Sequence, residues 1–539
     1  MHSGELIYHF INTIILTSVV AAWVLWRYRV AVLKGMQAQS GEIVAPAEVC
    51  RAENRPAGER AHDVIRWLGQ TRRAIVVAVV AALCLPALIM AALHLILADL
   101  PRSPTHIWLV ASVFASAAVP MLTVFLAIPF WRATAIWLAS IGACALTGVA
   151  LAMIQRLVTG KLPTIDQFMI IPYFLMFAAI EWSVPLMLLL ATGARKLRGV
   201  APITLAGLLT FGLAPLLGSR LTAWAASTVA GGAWLLSIGT NAGFFLLALP
   251  TGWFAWRRLK AVAQAYESKR LSDAQLLART WWLMFVASLA ITLANLPQHG
   301  DKWPIIFAIS AVAYLMFPHL LSWTLARLRL ERHRPSARTL LLLRVFGYTK
   351  RTERLFDGIA ARWRFCGPVT MIAAPDVIAR TVDPEDFLRY LTGRLSSAFV
   401  QSREDLEKRL AELDQRPDPD GRYRINEFCC RDNAWQATVV ELMRRADVVI
   451  MDLRGVTASR RGCEFELQQL AARLRPEQIV LVVDHSSDRD FIEQAMLGQG
   501  AARLPNIVAV NRGAPAETNQ LFAKLIAAAY ETAQERAAG

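Results

Sequence analysis

The stretch SRRGCEFELQQLAARL, residues 459–474, places Glu464 and Glu466 at the start of an amphipathic helical pattern. On a helix, residues two apart diverge by about 200°. The two carboxylates therefore cannot share a face, and one of them can turn toward a crevice while the other stays in solvent. The helix dipole by itself favours a glutamate in the first turn, which accounts for one of the pair without any ligand. The other has chemistry open to it. A carboxylate held in a crevice can act as a nucleophile or stabilise positive charge that develops in a reaction. No metal is required for this.

Further polar groups stand at the ends of apolar runs. Gly347, Asp376, Asp452, Asp484 and Asn511 each close a short hydrophobic stretch. In an open parallel sheet ligands bind outside the carboxyl ends of the strands, so these positions would fall along one edge, although each polar one would equally serve as an N-cap for the helix that follows. Neither G-x-x-x-x-G-K-[ST] nor G-x-G-x-x-G occurs, which argues against a P-loop ATPase or a Rossmann dehydrogenase. The run DHSSD at 484–488 sets Asp, His and Ser side by side, but neighbouring side chains diverge, and this is not a hydrolase triad. The seven cysteines show no C-x-x-C, so neither a disulfide framework nor a zinc site is signalled. Cys429 and Cys430, adjacent on an expected strand, would point to opposite faces.

The elements that must position these groups follow from periodicity. Strands are expected at 339–346, 369–374, 422–428, 447–453, 479–484 and 506–511, mostly continuous apolar runs of the kind covered on both faces. Helices are expected at 351–364, 384–399, 402–415, 434–446, 464–474, 488–497 and 515–535. Strand and helix alternate, which predicts a doubly wound α/β domain over 339–539 with a parallel sheet. A basic linker, 330–338, precedes it.

Residues 1–329 have a different character. The chain is 55% hydrophobic and only 18% charged, a membrane-protein composition. A hydrocarbon core of about 30 Å needs roughly 17–25 apolar residues per helix, and nine runs qualify: 5–26, 74–98, 107–130, 134–154, 168–192, 200–217, 226–256, 278–297 and 303–326. The first lacks a basic start and a clear cleavage site and reads as a retained anchor. Connections on alternate sides carry 21 Lys and Arg against 5 on the other. By the positive-inside bias the N-terminus is outside, and the loop 27–73 and everything after 327 are cytoplasmic. That loop, rich in Ala, Pro, Gly and charge, is expected to be partly disordered. Glu181 is the only carboxylate well inside a run and is a functional candidate by default, although a neutral Glu181 hydrogen-bonded to a neighbouring helix is the plainer alternative. The formal charge of +16 sits in the membrane half: residues 1–330 hold 26 Lys and Arg against 12 Asp and Glu, whereas 331–539 hold 31 against 29. The soluble part is nearly balanced, so no nucleic-acid partner is expected.

With these residues in place, the element GCEFELQQL resembles the Cys-x-x-Glu-Leu element of TIR domains, and LLLLRVFGYTKRTERLFDGI is similar to the TIR opening of strand, Phe-Gly turn and helix. The stretch ADVVIMDLRG leading to GCEFEL is also similar to nucleoside deoxyribosyltransferase-like proteins. The resemblance covers about residues 339–530. It departs from the TIR pattern at Gly462, where a Trp is usual, and in 402–432, which looks like an insertion. It implies a TIR/flavodoxin-like fold with Glu466 in the catalytic place, where its carboxylate would stabilise, or attack, the positively charged ribose formed as an N-glycosidic bond to C1′ breaks. Arg344, Phe346, Gly347 and Arg351 would lie around NAD or a related nucleotide, with Arg344, Arg351 and Arg454 near its phosphates, and no further cofactor would be required.

The expectation is thus a polytopic protein of a bacterial inner membrane whose cytoplasmic domain binds, and cleaves, a small nucleotide in signalling or defence. Two alternatives stay open: a non-enzymatic module for self-association, and a transporter with a regulatory domain. The membrane half resembles no family.

Overall fold

The computed structural model describes residues 3–37, 44–46, 60–97, 118–126, 130–160, 257–294, 302–328, 334–344, 350–373, 384–431, 433–498, 505–511 and 515–530, with a few isolated positions between them. The chain divides into two compact units. One comprises Met1–Trp26, Arg73–Arg329 and Val382–Leu388; the other comprises Arg27–Arg72, Leu330–Thr381 and Arg389–Gly539.

The described helices of the N-terminal part are α1 (Ser3–Gln37), α2 (Ala61–Leu97), α3 (Ala118–Leu126), α4 (Phe130–Thr159), α5 (Asp273–Ala294) and α6 (Trp303–Arg327). Among the described residues two helices, Ala61–Ile96 and Trp303–Arg327, are long and apolar enough to cross a membrane by length and composition. Helix α6 shows why its sequence lacks amphipathic contrast. One face buries Ile306, Ser310, Ala313, Phe317, Leu321 and Leu325, where Trp282 of α5 packs on Phe317 and donates its Nε1–H to the Ala313 carbonyl at 3.0 Å. The opposite face leaves Ile305, Val312, Leu315 and Trp323 exposed. An all-round apolar helix of this kind belongs in a large core or a bilayer. The expected runs 168–192 and 200–217, most of 226–256, and Glu181 lie outside the described residues.

The second unit is built on a seven-stranded sheet: β1 (Leu340–Arg344), β2 (Val369–Ala373), β3 (Phe399–Val400), β4 (Ile425–Cys430), β5 (Val448–Asp452), β6 (Ile479–Val483) and β7 (Asn506–Ala509). All pairings are parallel, and the spatial order is β3-β4-β2-β1-β5-β6-β7. Its helices are α7 (Lys350–Trp363), α9 (Arg403–Ala411), α10 (Trp435–Arg445), α11 (Arg461–Arg473), α12 (Arg489–Leu497) and α13 (Pro515–Tyr530), while α8 (Pro384–Leu391) begins in the first unit, which takes Val382–Leu388, and ends in this one. Strands β1, β5 and β6 are buried throughout. Leu341, Leu343, Val449, Met451, Leu481 and Val483 share one core with residues of α10, α11 and α12. Helices α7 and α13 pack together elsewhere, with α13 also against β5 and β6. Two covered faces leave a strand no room for polar alternation, which is why these strands read as continuous apolar runs.

Two expected elements fall differently. The helix expected over 384–399 ends at Leu391, because Gly393 adopts φ +76 and the turn closes with Gly393 N–H on the Tyr390 carbonyl. A left-handed residue there stops a helix at little cost when it is glycine. The chain then enters the two-residue edge strand β3. The strand expected at 422–428 starts at Ile425, because Asp418 and Asp420 bind Arg424 and Arg422 in buried ion pairs that shape residues 416–424 into a loop around Gly421, at φ +81. Cys429 and Cys430 are both buried at the end of β4, Cys430 in the core shared with α10, and burial pushes the Cys430 thiol up to about 12.

The described parts of 27–72 belong to the unit that holds the sheet. Val44 is buried in its core and donates its N–H to the Asn433 carbonyl. The Arg431 guanidinium donates to the Gly35 carbonyl at 3.2 Å, and Tyr28 packs edge-on against Tyr390. Gly35 lies against the Phe399 ring of β3, so close that a Cβ there would sit 2.4 Å from the ring. The absence of a side chain at Gly35 is what lets the end of α1 cover this sheet edge. Gly35→Val is expected to dislodge it at a cost of about 1–3 kcal/mol. Hydrogen exchange of the β3 and β4 amides in the full chain should accelerate, and adding Phe399→Ala should slow it again. Unchanged exchange would show that the edge does not need α1.

Candidate functional site

The strand order reverses direction at β1. From β1 the chain steps to β2 on one side, and after β4 it crosses back to β5 on the other. Crevices at such a switch point, outside the carboxyl ends of the strands, are where open parallel sheets bind ligands. Here the last register pair of β1 and β5 is Arg344 and Asp452, so the two expected residues stand side by side at that edge.

Asp452 is buried, and both of its oxygens are engaged by Arg454. Arg454 Nε lies 2.8 Å from Oδ1 and Nη2 lies 2.7 Å from Oδ2, while the Arg454 backbone N–H adds a longer bond to Oδ1. Only 5% of the Arg454 side chain and 3% of that of Asp452 is exposed, so this is a desolvated, bidentate, charge-assisted pair. Asp452 is thereby committed to holding Arg454. The third nitrogen, Nη1 of Arg454, is buried and makes no hydrogen bond. It is a fixed N–H donor group awaiting an acceptor.

Helix α11 follows the β5 loop. It buries Cys463, Glu466, Leu467, Leu470 and Arg473 at helical spacing, so Glu466 occupies a core-facing position in an otherwise ordinary stripe. Glu464, on the other side of the helix, is half-buried and accepts from Gln468. The divergence expected of the two glutamates is therefore realised, with Glu466 inward. Its Oε2 is buried without a hydrogen-bond partner. Burial pushes the Glu466 carboxyl up to about 8, against an opposing pull from the nearby Arg344 guanidinium. The group therefore holds its proton to a higher pH than an ordinary carboxylate does.

Asp484 has a local task. Its Oδ1 accepts from the Ser486 N–H at 3.0 Å and the Ser486 hydroxyl at 2.7 Å, and the Ser487 hydroxyl donates to the Leu453 carbonyl at 3.0 Å. The D-x-S-S run thereby ties the β6–α12 loop to the β5 exit, with Asp488 capping α12 through the Phe491 N–H. Gly455, at φ +72, sits in the β5 exit near Ser486. Asn511 is exposed. Phe346, Gly347 and Asp376 lie outside the described residues, as does the side chain of Arg351, a residue of α7. What sequence reasoning missed is the coupling of two of its own candidates: the i, i+2 spacing of Asp452 and Arg454 was the only signal that one holds the other. Among the described residues, no group of three or more His, Cys, Asp and Glu is arranged to hold a metal ion.

The arrangement offers one orphan acid and one orphan cationic donor on the two elements that follow β5, with a second guanidinium at the end of β1. Neither protein-family models nor curated proteins nor solved structures give a match to this chain.

The Glu466 shift has a thermodynamic signature. Its folded value lies above the ordinary carboxylate value, so between about pH 4.5 and 8 the folded state binds more protons than the unfolded one. Stability must then fall as pH rises through that window, by at most about 1.4 kcal/mol per pH unit from this group. Glu466→Gln is expected to remove this slope in chemical denaturation followed from pH 5 to 8. An identical slope in both proteins would show that Glu466 does not titrate there.

Proposed function

We propose that the chain is a polytopic protein of the bacterial inner membrane whose cytoplasmic α/β unit is TIR-like and takes NAD or a related nucleotide at the β1–β5 crevice, where Glu466 promotes cleavage of the N-glycosidic bond. The observation that carries the catalytic part is the buried, unpartnered Glu466 carboxyl in the electrostatic reach of Arg344. Leaving a buried polar oxygen unsatisfied costs about 1–3 kcal/mol, and such groups concentrate at functional sites. Five of the strands, β2-β1-β5-β6-β7, follow the flavodoxin-like order; β3 and β4 extend it at one edge, β4 within the segment 402–432 that departs from the TIR pattern and β3 just before it.

In this reading Arg454 offers Nη1 to a phosphate oxygen, and Asp452 keeps the guanidinium from rotating. A bound nicotinamide ring carries positive charge, which favours the ionised form of Glu466 in the complex. As the C1′–N bond breaks, its electron pair leaves with the nicotinamide nitrogen and neutralises the ring. The charge passes to the ribose, where the Glu466 carboxylate stabilises it. Water then adds at C1′ and releases a proton, giving nicotinamide and the ADP-ribosyl product.

The membrane part rests on distribution. Among the described residues, every large hydrophobic side chain that is exposed falls in the first unit except Ile65 and Leu497. Exposed apolar surface on that scale calls for lipid or protein cover, and the one-sided placement of Lys and Arg orients it.

Two measurements test this. NAD loss catalysed by the full-length assembly should vanish in Glu466→Gln, while Arg454→Gln should chiefly raise KM. Equal turnover in Glu466→Gln would remove it from the mechanism, and no turnover in the unmutated assembly would favour a non-enzymatic module. A reporter enzyme fused after residue 539 should be active in the cytoplasm; periplasmic activity would overturn the topology.

A further inference from the structure

Three exposed rings in the first unit carry a guanidinium stacked on them. Arg257 lies over Trp253 at 4.5 Å from the ring centroid, Arg258 over Phe254 at 4.9 Å, and Arg327 over Trp323 at 4.9 Å. The rings are 60%, 47% and 56% exposed, and the three arginines are exposed as well. In every case the arginine follows the ring by four residues, the spacing that puts both on one helix face with the cation one turn nearer the C-terminus. In every case, too, the pair closes one of the apolar runs, 226–256 or 303–326, at the end that the Lys and Arg distribution assigns to the cytoplasm. Trp23 and Arg27 repeat the spacing in the sequence at the end of the run 5–26.

Two features set these arginines apart from three buried ones of the α/β unit. Arg422, Arg424 and Arg454 are buried and paired with aspartates. Arg257, Arg258 and Arg327 have no carboxylate partner among the described residues. A guanidinium held over a ring still has N–H groups to offer, and its planar fork matches a phosphate. The ring itself suits the level where hydrocarbon gives way to headgroups.

We infer that these aromatic–arginine stacks are docking points for anionic phospholipid headgroups of the cytoplasmic leaflet, with the ring lying against the acyl boundary and the arginine edge on the lipid phosphate. The inference rests on the reading of these helices as membrane-spanning. It adds to that reading a preference among lipids, since a zwitterionic headgroup offsets its phosphate with an ammonium and an anionic one does not.

The test uses the full chain reconstituted in nanodiscs containing equal phosphatidylglycerol and phosphatidylcholine, released into native mass spectrometry to weigh the lipids that stay bound. Each stack should favour phosphatidylglycerol by about fivefold, and the preference should shrink as salt is raised. The triple variant Arg257→Gln, Arg258→Gln, Arg327→Gln should retain the two lipids equally. The corresponding triple Lys variant, which keeps the charge, should retain most of the preference, and this separates loss of charge from loss of fold. Equal retention of both lipids by the unmutated chain would overturn the inference, as would a Gln variant with undiminished preference. So would a fall in assembly mass without any lipid preference, which would place the arginines against a second copy of the chain. If alkaline carbonate strips the chain from membranes, the membrane-spanning reading itself fails, and the lipid sites with it.

Discussion

The pairing of β1 with β5, in register from Leu340 and Val448 to Arg344 and Asp452, is the contact on which the α/β unit depends. Both strands are covered on both faces, so apolar residues fill every level of the pair until the last. Charge enters the pair only at the carboxyl end, where Arg344 and Asp452 are themselves buried. The chain departs from β1 to one side and returns to β5 on the other, the topology that opens a crevice at this point in parallel sheets. Topology and burial thus converge on one place where polar side chains can stand in a low-dielectric setting without interrupting the core.

That setting explains how the charged groups divide their work. Asp452 in isolation would be a costly buried carboxylate; bound to Arg454 it becomes a bracket that fixes one guanidinium and leaves one nitrogen unused. Burying an ion pair this well rarely adds stability over an apolar substitute, so its value lies in orientation. Glu466 takes the opposite course. With no hydrogen-bond partner for Oε2, it meets the cost of burial by holding a proton.

Much of the sheet was legible in the sequence because doubly covered strands have a one-dimensional signature. The runs LLLLR, VVIMD and IVLVV are strands wherever their partners lie. That Glu464 and Glu466 diverge was legible from helical spacing, whereas the choice of Glu466 came from the resemblance; in the structure it is Glu466 that shares a buried face with Cys463, Leu467 and Leu470. The edge β3 was not, since two residues carry no period, and its presence depends on the Gly393 turn and on the Phe399 ring finding Gly35. The loop over 416–424 was illegible for another reason. Its aspartates and arginines look like solvated surface, and only their mutual pairing puts them inside. The Val44 segment, with polar and small neighbours, read as disorder because the surface it covers is contributed by residues nearly four hundred positions away.

That separation bears on how the molecule is made. Gly35 meets Arg431 across 396 residues of chain, so the end of α1 has no partner at this edge during synthesis until β3 and β4 emerge to meet it. A piece of the protein cut to begin at the basic linker would carry the strands but never their lid, leaving the Phe399 ring and the β4 exit bare. The smallest faithful version of this sheet is therefore discontinuous: it must include the turn of helix that ends at Gln37.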